Sequence, residues 1–160
     1  MAKKVKIKKT LVEQILTKAG IEHTGIQINA LEGELPPEYD RKQIFKTLAL
    51  LGDKTGPIIG IVPITEHLAE KKLAKVSGNK KVSMIPQKDL EKTTGYIHGA
   101  NNPVGIRQKH NYPIFIDQTA LDLDEMIVSA GEVGHSIIIR PQDLANFVKA
   151  NFADILEENN

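Results

Sequence analysis

The 160-residue chain has no cysteine and no tryptophan, and aromatic residues make up 4% of it. Without cysteine there can be no disulfide, no thiolate nucleophile and no cysteine metal site. With so few rings, the core has to be aliphatic. Long apolar runs are missing as well: no stretch approaches the roughly 18 residues of a membrane span, and no apolar segment follows the basic N-terminus as in a secretory signal. A cytoplasmic protein with no membrane contact is expected. An excess of either charge is also absent, since 21 basic residues stand against 20 acidic ones. A net charge of +1 gives no overall field to draw in a polyanion, so any nucleic-acid contact must be a local patch. The run Lys3-Lys4-Val5-Lys6-Ile7-Lys8-Lys9 is one such patch, or a solubilising tail. No helix-turn-helix pattern with a basic recognition helix occurs, which argues against DNA as a partner.

What is present is ordinary for one globular domain: 41% hydrophobic and 26% charged residues, enough to bury a core without staples. The expected organisation is a single domain over residues 1–160, with 1–9 as a basic tail. Residues 10–19 read as a helix, with Leu11, Val12, Ile15 and Leu16 at helical spacing, Thr10 as cap and Gly20 as stop. Ile26-Gln27-Ile28 suggests a strand within residues 21–29, and the acidic stretch 31–37 breaks regular structure. Two apolar runs, 43–51 and 57–63, flank Gly52-Asp53-Lys54-Thr55-Gly56 and read as an antiparallel hairpin. A helix is expected over 65–76, closed by Ser77-Gly78. A short strand at 82–85 and a short helix from Pro86 to about residue 92 follow.

Further on, strands are expected at 112–117 and from Ile127. The turn Gly131-Glu132-Val133-Gly134 leads into a return strand at 136–140. Pro141 opens a last helix, whose stripe reads Leu144, Phe147, Val148, Phe152, Ile155 and Leu156. Strand pairs on short turns cannot be parallel crossovers. The reading is therefore a mixed α/β (α+β) fold, a largely antiparallel sheet curled into a barrel and flanked by helices.

The stretch Thr93-Thr94-Gly95-Tyr96-Ile97-His98-Gly99-Ala100-Asn101-Asn102-Pro103-Val104-Gly105 is too rich in glycine and proline for a regular helix or central strand. It reads as a shaped loop, either a surface turn or a binding wall of exposed main-chain groups. Lys46 stands inside an apolar strand, where an ammonium is costly to bury alone. It either snorkels on an exposed face or points into a cleft, where it can bind phosphate or orient a carbonyl. The five histidines lack metal-ligand spacing, so no metal is expected. His98 in the glycine loop and His135 beside the second glycine turn are placed to meet a ligand. The loop is neither a Walker loop nor GxGxxG, and no Gly-x-Ser-x-Gly elbow exists. Ser129-Ala130-Gly131 reads better as a turn than as a nucleophile.

Taken together, three separated blocks become specific: Ile44-Phe45-Lys46-Thr47-Leu48, Thr94 through Gly105 as quoted above, and Val128-Ser129-Ala130-Gly131-Glu132-Val133-Gly134. They resemble the signature blocks of the YbaK/EbsC family of Cys-tRNA(Pro)/aminoacyl-tRNA deacylases, similar to the editing insertion of prolyl-tRNA synthetase. The resemblance spans nearly the whole chain. It implies hydrolysis of the ester joining a wrong amino acid to tRNA, without a cofactor. Lys46 then corresponds to the essential charged residue and Gly99 to the glycine that offers main-chain groups to the aminoacyl end. Pro103 shapes the loop, Ser129 lines the pocket, and Thr47, His98, Asn101 and Gly131 are further substrate contacts.

The implied partners are the aminoacylated 3′ end of tRNA and prolyl-tRNA synthetase. In cysteine-specific members the substrate thiol itself can attack. The chain differs from the family pattern at Glu132-Val133, where Lys-Arg is common, at Ser136, where an acidic residue is common, and at Asn101-Asn102, where a small residue and a serine are common. These differences motivate a second reading, a non-catalytic binding module on the same fold.

Overall fold

The structure is a computed structural model that describes residues 9–28 and 35–158. The basic run at 3–8 and the acidic residues 31–34 lie outside the described residues. The hairpin forms as the two apolar runs dictate: β2 (Phe45–Gly52) and β3 (Gly56–Pro63) pair antiparallel from Phe45 opposite Pro63 to Gly52 opposite Gly56. Its turn closes because Gly56 takes φ 73°, and because the Asn79 carbonyl oxygen accepts from the Lys54 and Thr55 amides at 2.8 and 3.0 Å. β4 (Val82–Met84), β5 (Ile114–Asp117) and β8 (Asn151–Ala153) complete a five-stranded sheet in the order β4-β2-β3-β5-β8. In it, β3, β5 and β8 run parallel. β1 (His23–Gln27), β6 (Met126–Glu132) and β7 (His135–Ile139) form a second, antiparallel sheet in the order β1-β7-β6. A parallel bridge between Ile44 and Ile127 joins the two sheets.

Helices α1 (Leu11–Lys18), α4 (Pro103–Lys109) and α5 (Pro141–Val148) place Val12, Leu16, Val104, Ile106, Leu144 and Val148 in the main core with Ile59, Ile61, Ile114 and Ile116. Phe45 and Phe115 are the only aromatic rings among the buried described residues, so cohesion comes from aliphatic side chains worth ~1.5–3 kcal/mol each when fully buried. α2 (Glu70–Ser77) packs against the edge strand β4, with Leu73 and Ala74 in a second cluster beside Leu50 and Val82, and α3 (Gln87–Thr94) places Leu90 in the main core.

Mixed α/β architecture and mainly antiparallel pairing match the expectation, but the described strands form two sheets and no closed barrel is found. Three element boundaries differ. α2 starts at Glu70 instead of Thr65, because Leu68 is drawn into a bridge with Leu156 and the Ala69 amide donates to the Ile155 carbonyl. α5 ends at Val148, where Lys149 turns left-handed at φ 57°. Phe152 therefore lies in β8, paired with Ile116, and not on a continuing helical stripe. The glycine-rich stretch, expected to be loop throughout, begins and ends in helix. α3 runs to Thr94 and stops on Gly95 at φ 87°, and Pro103 sits at the first position of α4. Asn102 makes the second helix possible, since its side chain accepts from the Gly105 amide at 2.6 Å.

Candidate active site

β4 covers β2 only from Leu50 to Gly52, and β6 meets it at Ile44. Between these points, and among the described strands, residues 46–48 have a partner on one side alone, β3. A cavity of about 300 Å3 opens along this gap, lined by Ile44, by residues 45–49 of β2 and by parts of β4, α3, β6, β7 and the glycine turn. A strand margin without a neighbouring strand leaves main-chain polar groups open to a ligand.

Side chains two apart on a strand share a face. Two residues beyond the Ile44–Ile127 bridge lie Lys46 and Ser129, and Ser129 pairs across β6–β7 with Ser136. Lys46, Ser129 and Ser136 thus form a polar row, and Ile44, Ile127 and Ile138 form an apolar row beside it. Ile28, Ile44, Ile64 and Ile127 contribute apolar wall to the cavity. Thr47 points to the opposite face yet reaches the cavity around the margin. It is buried, and its Oγ1 has no hydrogen-bond partner. An unsatisfied buried hydroxyl costs about 1–3 kcal/mol. Its position on the wall makes it a group waiting for a ligand atom. Lys46 is half-buried, and no carboxylate belongs to the described residues that line the cavity.

The opposite wall is the turn after α3. Gly99 adopts φ 90°, a region that favours glycine. The turn is braced from within. Thr94 Oγ1 donates to Asn101 Oδ1 at 2.7 Å and accepts from the Tyr96 amide at 3.1 Å, while Asn102 Nδ2 donates to the Ala100 carbonyl at 3.1 Å. Gly105 leaves room for the Tyr96 hydroxyl end, which an added Cβ would overlap.

Lys46, Thr47, His98, Gly99, Asn101 and Ser129 therefore all line one cavity. Pro103 and Gly131 do not. Pro103 is buried at the start of α4. Gly131 sits in a bulge between the Ser129–Ser136 and Glu132–His135 pairs at φ 92°, a conformation that favours glycine, with Val12, Asn102 and Tyr96 side chains 3.1–3.5 Å from where a Cβ would stand. Its amide donates to Ser129 Oγ at 3.2 Å, so it shapes the wall from behind. Gln87, His135 and Ser136 also line the cavity. His135 was signalled by its place beside the glycine turn, and Ser136 by its departure from the resembled pattern. Gln87 is one polar residue among many on a short helix and carries no signal in the sequence.

Comparison with known proteins identifies the family. The model of the aminoacyl-tRNA editing domain matches residues 34–147. The chain belongs to that family. EbsC of Enterococcus faecalis, named as a Cys-tRNA(Pro)/Cys-tRNA(Cys) deacylase, is 42% identical over 116 residues, covering 72% of this chain and 70% of that protein. Among solved structures, one described as a trans-editing enzyme for prolyl-tRNA synthetase superposes with a TM-score of 0.78 at 22% identity, over 92% of this chain and 95% of that one. The hypothetical protein APE2540 gives 0.81 at 20% identity, over 91% and 99%. At such identities the structural likeness speaks for the fold. No helix among the described residues is long and apolar enough to cross a membrane.

Proposed function

We propose that this editing domain is a trans-acting deacylase that hydrolyses the ester between tRNA and a wrongly attached amino acid, with Cys-tRNA(Pro) as its foremost substrate. The observation that carries the reading is that Lys46 and the Gly99 turn, 53 positions apart in the chain, wall the same cavity of about 300 Å3. That volume suits an aminoacyl group with part of its ribose.

Hydrolysis needs an oxygen of water on the carbonyl carbon, departure of the ribose oxygen, and a proton delivered to that oxygen. The ester is already activated, so positioning and charge stabilisation suffice. In this reading the Lys46 ammonium and the main-chain groups of the Gly99 turn hold the acylated terminus and the developing oxyanion. Thr47, Asn101 and Ser129 orient polar atoms of the substrate, and the isoleucine wall takes its side chain. Among the described residues no carboxylate lines the cavity to act as base. A cysteine substrate can instead supply its own thiol, which adds to the ester carbonyl as the ribose oxygen leaves with a proton, and water then opens the cyclic thioester to free cysteine. The two sheets, joined at Ile44 and Ile127, then act as an open barrel around the substrate. With a tRNA substrate the activity is expected in the cytoplasm, and prolyl-tRNA synthetase is the expected partner, testable by co-purification.

Lys46→Ala is expected to lower single-turnover deacylation of Cys-tRNA(Pro) by about 100-fold or more, with an unchanged circular dichroism spectrum. Wild-type turnover in that variant would reject the role given to the lysine. The binding-module reading is favoured by one feature, the exposed Glu132 and Val133 on the hairpin tip beside the cavity. Release of amino acid from mischarged tRNA above the spontaneous rate excludes it.

A further inference from the structure

The net charge of +1 conceals a strong segregation. Residues 70–92, comprising α2, β4 and α3, hold seven lysines against three carboxylates, whereas residues 117–143, which include the β6–β7 hairpin, hold six carboxylates against Arg140 alone. The cavity lies between these regions, since Met84, Ile85 and Gln87 line one side and Gly134, His135 and Ser136 the other.

We infer that the tRNA body, beyond its acylated terminus, lies across the β4–α3 side on Lys80, Lys81 and Lys88. The inference rests on the deacylase reading and adds to it the route by which the nucleic acid reaches the site. Lys80 and Lys81 lead directly into β4, and its Met84 end, roughly 10 Å further along an extended strand, forms cavity wall. Lys88 follows Gln87, another wall residue. All three side chains are exposed and have no ion-pair partner among the described residues, in contrast to Lys72 and Lys92, which are held by Asp154 and Asp89. The Lys80–Lys81 main chain is fixed, because both amides donate to Asp53 Oδ1 at 2.9 and 3.0 Å. Glu70 is tied into the same region, its Oε2 accepting from the Met84 amide at 3.2 Å, and Asp89 is engaged by Lys92. On the hairpin side Glu132 repels phosphate.

The test is fluorescence anisotropy of labelled, uncharged tRNA over a range of salt concentrations, comparing wild type with the triple variant Lys80→Ala, Lys81→Ala, Lys88→Ala. Binding is expected to weaken about tenfold or more, and the slope of log K against log salt to become shallower by about 2 to 3. Hydrolysis of a cysteinyl-adenosine ester, which has no stem, stays at the wild-type rate. Asp122→Ser with Asp124→Ser, on the acidic side, leaves tRNA affinity equal or tighter. Equal affinity and slope in the wild type and the triple variant, or no binding by the wild type, overturns the assignment. Uncharged tRNA carries no ester, so this binding result stands or falls separately from whether the chain deacylates anything.

Discussion

The two lips of the cavity keep their shape by different means. The turn at 95–102 is held by side chains: Thr94 grips Asn101, and Asn102 grips both Ala100 and Gly105. The β6–β7 hairpin is held by its backbone ladder and one bulge, with a single side-chain bond from the Gly131 amide to Ser129. One lip therefore depends on the chemistry of a few buried polar residues, and the other on register, which many sequences can satisfy.

The contrast can be broken by substitution. Asn102→Ala should have the largest effect, because it removes a helix cap and leaves fully buried amide and carbonyl groups unpaired. A loss of about 2–3 kcal/mol in urea unfolding is expected, with deacylation falling in parallel. Thr47→Val tests the group that belongs to neither lip. Removing an unpartnered buried hydroxyl should leave stability equal or up to about 1 kcal/mol higher, while kcat/KM for Cys-tRNA(Pro) drops about tenfold. A drop in stability together with activity would make Thr47 structural.

Ser129→Ala should cost under about 1 kcal/mol, since the ladder continues on both sides. A cost equal to that of Asn102→Ala would erase the distinction between the lips. The smallest effect is expected far from both, at Asp154. Its hydrogen bond from Lys72 holds its carboxyl below the ordinary carboxylate value. A depressed folded value means that the stabilisation is present above the ordinary value and is lost as pH falls through the lowered one. Asp154→Asn should therefore slightly flatten the acid limb of a Tm-against-pH curve, from the ordinary carboxylate range downward, and leave both lips untouched.

Much of this was legible from local chemistry. Thr10 caps α1, the Glu13 amide donating to its hydroxyl at 3.2 Å, and the β2–β3 pairing follows from two apolar runs around a turn. α4 was missed because three glycines outweighed Asn102-Pro103, although an Asn cap followed by proline is itself a helix start. α5 was drawn too long because Phe152, Ile155 and Leu156 keep an apolar spacing. Their burial is achieved by β8 and a bridge to Leu68, a tertiary solution that periodicity cannot distinguish from helix. In the site, residues inside the signature blocks came together, whereas Gln87 depends on how α3 lies against β2, which no local pattern encodes. Pro103 and Gly131 belonged to the right blocks, but as supports behind the wall.

A strand margin without a neighbour is normally a hazard, because another chain can add itself there and start an aggregate. Here residues 46–48 form one wall of a cavity of about 300 Å3 whose other walls come from the Gly99 turn and the β6–β7 hairpin. The open margin thus faces a recess instead of lying along the outer rim of the sheet, which is one way in which an edge is withheld from other chains.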